Sequence, residues 1–197
     1  MKHSSFSFLS IIIIVTCLSS CGLVQQGTEL KTFANCDFRL ESVTNLKLAG
    51  VSIQNADALT DLGFTNMALV TGSVAKGTLP LTFDLNLEAR NPNATVAAMN
   101  RLDWILLLDK QEIVSGVLMD RIEISPNSST IFPLSINFDL IKAMSGKTAE
   151  ALLNLAFSLS GTGATSKITI KAKPTIIIGK KTMQYPGYIL ITQKFGN

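Results

Sequence analysis

The chain has 197 residues, of which 47% are hydrophobic and 16% are charged, and its formal net charge is +3. A chain of this length can bury a core of its own and hold together by packing. Like charges nowhere form a run of five or six, so we expect no nucleic acid partner.

Residues 1–21, MKHSSFSFLSIIIIVTCLSSC, have a cationic start, an apolar run centred on residues 11–15, and small residues at the end. This layout is typical of a secretory signal peptide and is too short for a membrane-spanning helix with its flanks. The last four residues, Leu18 to Cys21, resemble a bacterial lipobox, whose cysteine receives diacylglycerol and becomes the new N-terminus. We therefore predict lipidation at Cys21. The alternatives are an ordinary cleaved signal and a weaker lipobox that ends at Cys17.

Gly22 follows the predicted lipidation site. Bacterial lipoproteins with glycine rather than aspartate at this position generally go on to the outer membrane. Each buried CH₂ of an acyl chain adds about 0.8 kcal/mol of membrane affinity, so several chains anchor a protein stably. The resemblance therefore implies a protein of the bacterial cell envelope that lipid anchors in the outer membrane. Periplasmic and surface-facing orientations both remain open.

Removal of the signal would also remove reactive side chains. His3 is the only histidine, so without it we expect no Ser-His-Asp or Cys-His catalysis and no histidine-based zinc site. Cys17 would leave with the signal and the Cys21 sulfur would carry lipid, so Cys36 would be the only free thiol, with no partner for a disulfide. We expect Cys36 to be a small buried side chain. We expect the protein to be no enzyme and to hold no metal or cofactor.

Residues 22–34 show no pattern and predict a tether, so the folded domain is expected over residues 35–197. Residues 36–41 alternate between apolar and polar, which indicates a half-buried strand. The spacing of apolar residues over 55–74 favours one or two short helices. The clearest strand covers residues 79–90, where every second side chain is apolar.

That strand ends at Asn91-Pro92-Asn93. Pro92 has no amide hydrogen to give to a ladder, and both asparagines tolerate turn conformations and can bond their own backbone. Loops on a rigid scaffold often carry binding, so Asn91, Pro92 and Asn93 are also a candidate recognition tip.

Residues 101–108 and 112–119 are predicted to form a hairpin, and residues 131–140 a further strand. A helix is predicted over 146–155 with Thr148 as its cap, followed by a last pair of strands on either side of Pro174. Many short strands with few helices predict a mainly β fold, an antiparallel β-sandwich with one or two short helices.

Four segments in order, LPLTFDLNLEARNPN, LDWILLLDKQEIVSGVL, SPNSSTIFPLSINFDL and LSGTGAT, resemble the late embryogenesis abundant type 2 family and its WHy domain. The resemblance covers residues 79–178. It implies a sandwich of fibronectin type III-like or immunoglobulin-like shape with no catalytic site. Members of the family range in role from stress or desiccation protection to lipid binding or transfer. The lipobox departs from the plant members, so a stress role stays open.

Two functions of different classes fit these observations. The first is a non-enzymatic, lipid-anchored module that binds or scaffolds a protein or lipid at the membrane surface. The second is a lipid-binding or lipid-transfer domain with an apolar groove between the sheets or under the 146–155 helix, suggested by the apolar runs 105–108 and 176–178.

Carboxylates offer weaker candidates for chemistry. They could support an enzyme, but no pair is positioned for acid–base work by any pattern in the sequence. Asp84, Asn86 and Glu88 share one face of a strand and could offer oxygens to calcium, although a solvated face is the simpler interpretation.

Overall fold

The computed structural model describes residues 25–108, 110–146, 149–159, 166–178 and 180–195. The predicted signal peptide, the predicted lipidation site Cys21 and the predicted helix cap Thr148 lie outside these residues.

Strands dominate the described part of the chain, and all of their pairings are antiparallel. The strands are β1 (Asp37–Leu48), β2 (Val51–Ser52), β3 (Pro80–Arg90), β4 (Ala97–Met99), β5 (Arg101–Leu108), β6 (Gln111–Leu118), β7 (Ile122–Ile124), β8 (Ser129–Asp139), β9 (Ser166–Ile178), β10 (Lys181–Gln184) and β11 (Ile189–Phe195). The helices are α1 (residues 25–34), a short 3-10 helix (Leu59–Leu62), α2 (Gly63–Ala75), α3 (Leu140–Ala143) and α4 (Ala149–Ser158). The predicted mainly β, antiparallel fold is confirmed.

The strands form two main sheets and a small ribbon. The first sheet has the order β2-β1-β3-β8. In the second sheet β6 pairs with β5 and β5 with β9, while the other edge of β9 pairs with both β10 and β11. Strands β4 and β7 pair with each other.

Alternation along the strands supplies the core between the two sheets. One face of β3 is buried to 3% exposure or less, and its side chains are Leu81, Phe83, Leu85, Leu87 and Ala89. The matching row on β5 is Leu102, Trp104, Leu106 and Leu108, and both rows belong to one hydrophobic cluster. Each large apolar side chain buried in this way contributes about 1.5–3 kcal/mol. The predicted sandwich therefore follows from the period-two pattern that the sequence shows.

The helices lie at two opposite ends of the sandwich. The side-chain amide of Gln111, beside the turn between β5 and β6, donates a hydrogen bond to the Ala143 carbonyl of α3 at 3.3 Å. That turn and α3 therefore lie at the same end of the sandwich. Helix α2 precedes β3 at the same end and contacts β2, and α4 contacts α3. We call this the helical end. At the other end β1 begins directly after α1, and we call it the α1 end.

Pro174 lies inside β9 rather than between two strands, which differs from the predicted strand pair. Residues of β9 up to Ala172 pair with β11, and those from Thr175 onward pair with β10. Pro174 lies where the neighbour of β9 changes from β11 to β10. Neither strand needs a hydrogen bond from residue 174 there, so proline is tolerated although it has no amide hydrogen. Its carbonyl still accepts from the backbone of Tyr185 at 2.9 Å.

The predicted tether over residues 22–34 is the largest difference from the sequence-based interpretation. Residues 25–34 form α1, in which Leu30 is 3% exposed and Phe33 is fully buried. The Phe33 ring packs against the Phe38 ring of β1 with 5.3 Å between centroids. The folded domain therefore begins about ten residues earlier than predicted, because this short helix gains its stability from packing rather than from propensity.

Candidate functional site

Asn91, in the predicted recognition tip, is completely buried. Its side-chain NH₂ group donates to three backbone carbonyls, those of Thr95 at 2.8 Å, Ile124 at 3.1 Å and Ser125 at 3.2 Å. Its backbone amide donates to the Ser128 carbonyl at 2.8 Å. Asn91 therefore ties the end of β3 to the β3–β4 loop (residues 91–96) and to the β7–β8 loop (residues 125–128).

The oxygen of the Asn91 side chain is also engaged. It accepts hydrogen bonds from both the backbone and the side-chain nitrogen of Asn93, each at 3.0 Å. Within the tip, Pro92 is exposed and Asn93 is half-buried. The tip can present Pro92 and one edge of Asn93 to a partner. The side-chain nitrogen and oxygen of Asn91 are both hydrogen-bonded within the protein, so Asn91 cannot contact a partner in this way.

Helix α1 packs beside this tip. Gln25, Thr28 and Glu29 of α1 line a surface cleft whose other wall is formed by residues 94–96 and Pro126. The Thr32 and Thr95 hydroxyls lie 3.1 Å apart and share a hydrogen bond. The β3–β4 loop and the β7–β8 loop are thus held against α1.

An ion pair fixes α1 to the β6–β7 connection. The Glu29 carboxylate is largely buried and accepts a hydrogen bond from Arg121 at 3.2 Å. Arg121 also pairs with Glu123 at 2.8 Å, and Gln25 donates to Glu29 at 3.3 Å along the helix. A mostly buried carboxylate needs such partners, because a charge without them is costly to remove from water.

The two loops at the α1 end carry no charged residue. The segments NPNATV (91–96) and SPNSS (125–129) contain no aspartate, glutamate, lysine or arginine. Pro92, Ala94, Thr95 and Pro126 are exposed among them. The α1 end therefore combines a docked N-terminal helix with two uncharged loops, beside which the exposed charged residues Asp37 and Arg90 lie.

The outer face of the first sheet is a connected polar surface. Asp84 accepts hydrogen bonds from Asn45 and Ser135, both at 2.7 Å, so its two oxygens are bound by neighbouring strands. The side-chain amide of Asn86 donates to the hydroxyls of Ser42 and Thr44 in β1, at 3.0 Å each. These contacts fit the solvated face that the sequence suggests.

Glu88 on the same face pairs with Arg39 of β1. The hydrogen bond from Arg39 lowers the pKa of the Glu88 carboxyl, and partial burial opposes that effect. Among the described residues, no cluster of three histidine, cysteine, aspartate or glutamate side chains is arranged to hold a metal ion.

Cys36, Trp104 and most of the apolar runs that suggest a groove lie in the core. Cys36 is 8% exposed, and its thiol donates to the Thr32 carbonyl at 3.4 Å. Trp104 is 6% exposed. Of the apolar runs proposed to line a groove, Leu106, Leu107, Leu108 and Ile176 are all buried, while Ile105 is half-buried and Ile177 exposed. Most of these side chains are already covered by the protein itself.

No helix within the described ranges is long and apolar enough to cross a membrane.

Sequence reasoning missed α1 and its ion pair. The spacing of Leu30 and Phe33 by three positions was the one available signal, and it covers a single helical turn. The partner of Glu29 stands 92 positions away, at Arg121, and no local pattern connects the two.

Two solved structures illustrate the similarity of this chain to known proteins. A protein from Archaeoglobus fulgidus is 14% identical with a TM-score of 0.35, and the match covers 60% of this chain and 86% of that one. The solution structure of a protein described as late embryogenesis abundant is 14% identical with a TM-score of 0.34, over 93% of this chain and 85% of that one. No curated protein matches the sequence significantly.

The family comparison is more direct. The family described as "Late embryogenesis abundant protein" matches residues 86–186, which run from the middle of β3 to just past β10. The matched segment includes Asn91 with the two loops that it joins, the β5–β6 hairpin, β8 and most of the second sheet, whereas β1 and β2 lie before it. The chain belongs to the late embryogenesis abundant protein family.

Proposed function

We propose that this family member is a non-enzymatic, lipid-anchored module of a bacterial cell envelope that binds or scaffolds a partner at the membrane surface. The observation that carries the proposal is the lipobox-like sequence from Leu18 to Cys21, followed by Gly22. In such a sequence the cysteine thiol loses its proton and its sulfur displaces the phosphate headgroup of a phospholipid, which forms a thioether to diacylglycerol. Hydrolysis of the peptide bond before Cys21 then removes the signal, and the freed α-amine takes an acyl chain from a phospholipid ester, which leaves a lysophospholipid. Three acyl chains exceed the two signals that stable anchoring requires.

The arrangement of the domain supports a binding role rather than chemistry. The carboxylates on the outer face of the first sheet are taken up by neighbouring side chains, as Asp84 is by Asn45 and Ser135. His3, the only histidine, would leave with the signal. A rigid sandwich with loops at its ends is a common platform for recognition.

Lipidation is tested by expressing the full chain in a diderm bacterium with an alkyne-labelled fatty acid. We expect label on the protein and recovery in the membrane fraction. Cys21→Ser should lose both, while Cys17→Ser, the matched control inside the signal, should keep both. An unlabelled wild-type protein released into the periplasm would contradict the proposal, and loss of label in Cys17→Ser would move the site to Cys17.

The binding role has a separate test, which also addresses lipid transfer. The lipidated protein is purified in mild detergent, and native mass spectrometry measures its mass with any bound lipid. In a separate experiment, crosslinking in intact cells identifies the proteins that lie next to it in the envelope. A protein partner captured reproducibly, with no extra lipid mass, supports a binding or scaffolding module. One lipid molecule bound per chain beyond the covalent anchor would instead support the lipid carrier.

A further inference from the structure

The connection between the predicted lipidation site and the folded domain is short. A free tether over residues 22–34 would reach about 45 Å when extended, at about 3.3–3.6 Å per residue. Because α1 already occupies residues 25–34, only residues 22–24 separate it from Cys21. Four steps along the chain span at most about 14 Å, so the first residue of α1 stays near the anchor.

Helix α1 cannot act as a free arm, because it is fastened to elements of both sheets. Phe33 is buried in the core beside β1, and Thr32 meets Thr95 of the β3–β4 loop. Glu29 pairs with Arg121 after β6. A Cβ atom placed on Gly27 would lie 3.6 Å from the Met183 sulfur of β10, so the helix also contacts that strand closely. The anchor position therefore determines which end of the sandwich faces the membrane.

Two loops at the α1 end suit contact with lipid headgroups, and the charged residues at that end, Asp37 and Arg90, lie beside them. The β3–β4 and β7–β8 loops carry no charged residue, so no charge must be desolvated when they approach a membrane. Their exposed residues are small or polar, with prolines at positions 92 and 126. Gln25, at the start of α1, lines the same cleft as Ala94 and Pro126, which brings the loops and the anchor point together.

We propose that the β3–β4 and β7–β8 loops rest on the headgroup layer of the membrane that holds the anchor, so that the sandwich stands on its α1 end. This inference depends on the proposed lipidation of Cys21. The helical end then faces away from that membrane. There α2 presents Phe64, which is 83% exposed, and Leu69, which is 56% exposed, to the surrounding compartment.

Two matched serine-to-cysteine variants test this orientation. Ser128 lies in the β7–β8 loop, and Ser52 lies in β2 toward the helical end; both are exposed. Because Arg90 pairs with Ser129, and Lys47 pairs with both Thr82 and Ser52, the two positions differ by about eight residues along β3, or about 27 Å. Each variant is made in the full lipidated chain and carries a fluorescent label on the new cysteine.

The labelled proteins are placed in vesicles of phosphatidylethanolamine and phosphatidylglycerol that contain a lipid with a spin label on its headgroup. We expect fluorescence at position 128 to be quenched at least about threefold more than at position 52, since a 27 Å separation exceeds contact range. Equal quenching at both positions, or stronger quenching at position 52, would overturn the orientation.

Insertion of ten glycine and serine residues after Gly22 tests the short connection. Lipidation should be unchanged, while quenching at position 128 should fall toward the value at position 52, because the domain can then move away from the surface. An unchanged difference would overturn the role of the short connection. The mass of each variant is measured first: absence of lipid contradicts the proposed function, whereas lipidated protein with equal quenching contradicts only the orientation.

Discussion

The indole ring of Trp104 lies directly over the backbone of Gly116, its partner across the β5–β6 pair. Three atoms of the ring occupy the space that a Cβ atom on residue 116 would need. Trp104 is 6% exposed and belongs to the core between the sheets. The glycine is therefore required by its neighbour, since it leaves room for the largest side chain of the core.

Replacement of Gly116 by alanine should destabilise the domain. The added methyl group forces the indole or the strand to move, and overpacking of this kind costs about 1–3 kcal/mol. Urea unfolding measures the loss, followed by tryptophan fluorescence, because Trp104 is the only tryptophan in the chain. Ser115→Ala, one position away on the exposed side, is the control and should change the free energy of unfolding by less than about 0.5 kcal/mol. Equal stability of the two variants would mean that the ring has space to shift.

Asn91→Ala should cost more than most polar substitutions. It removes the donors to the carbonyls of Thr95, Ile124 and Ser125, of which the bond to Ile124 is buried and the other two are partly buried. Each buried group left unsatisfied costs about 1–3 kcal/mol, so we expect a loss of about 3 kcal/mol or more in the free energy of unfolding. Chemical denaturation of the domain is the measurement.

Asn93→Ala serves as the matched control for the same turn. Asn93 is only half-buried, and its side chain makes one bond, to Asn91. A loss of about 1 kcal/mol or less is therefore expected. Equal losses for the two asparagines would show that the turn, rather than the buried side chain of Asn91, carries the stability.

Phe33→Ala distinguishes a docked helix from a tether. Phe33 is completely buried, and truncation of a buried phenylalanine typically costs about 3–5 kcal/mol. The change should lower the melting temperature and expose α1 to proteases. Lys31→Ala, on the exposed side of α1, should have little effect on either measurement. If both variants unfold like the wild type, residues 25–34 contribute nothing to the stability of the domain.

The parts of the fold that could be predicted are those with a strong local period. In β3 the alternation from Leu81 to Ala89 matches the burial of each residue. The β5–β6 hairpin and β8 follow the same rule, and the apolar spacing before β3 indicated the helix that became α2. Successive side chains of a strand point to opposite faces of the sheet. A strand with one buried face therefore shows alternating apolar and polar residues in its sequence.

The features that could not be predicted depend on distant partners. Asn-Pro-Asn indicated a turn, yet Asn91 is buried because it bonds the carbonyl of Ile124, 33 positions later. Helix α1 is short, and its burial depends on elements that lie far along the chain, including Arg121. Pro174 suggested a break, but a strand continues through it because its neighbour changes at that point. Such contacts are set by the tertiary structure, which local patterns do not encode.

The Cys36 thiol provides a prediction about alkaline pH. Burial, followed by the nearby negative charge of Asp37, raises the pKa of this thiol to about 11. The ordinary pKa of a cysteine thiol is about 9.0. Between these values the unfolded chain has lost its proton and the folded chain has kept it, so unfolding releases a proton and stability falls as the pH rises. The contribution is fully present below about pH 9, is lost as the pH rises to about 11, and amounts to at most about 3 kcal/mol.

Comparison of the wild type with Cys36→Ala isolates the contribution of this thiol, because the two proteins share every other ionisable group. We expect urea unfolding at pH 8 and pH 10.5 to show a larger loss of stability in the wild type than in the variant, by about 1–3 kcal/mol. In the folded wild type the thiol should also be inert toward a thiol reagent at pH 8, because the thiolate is the reactive form. Parallel loss of stability in both proteins, together with rapid labelling of the folded wild type, would show that Cys36 is ionised near neutral pH and accessible to solvent.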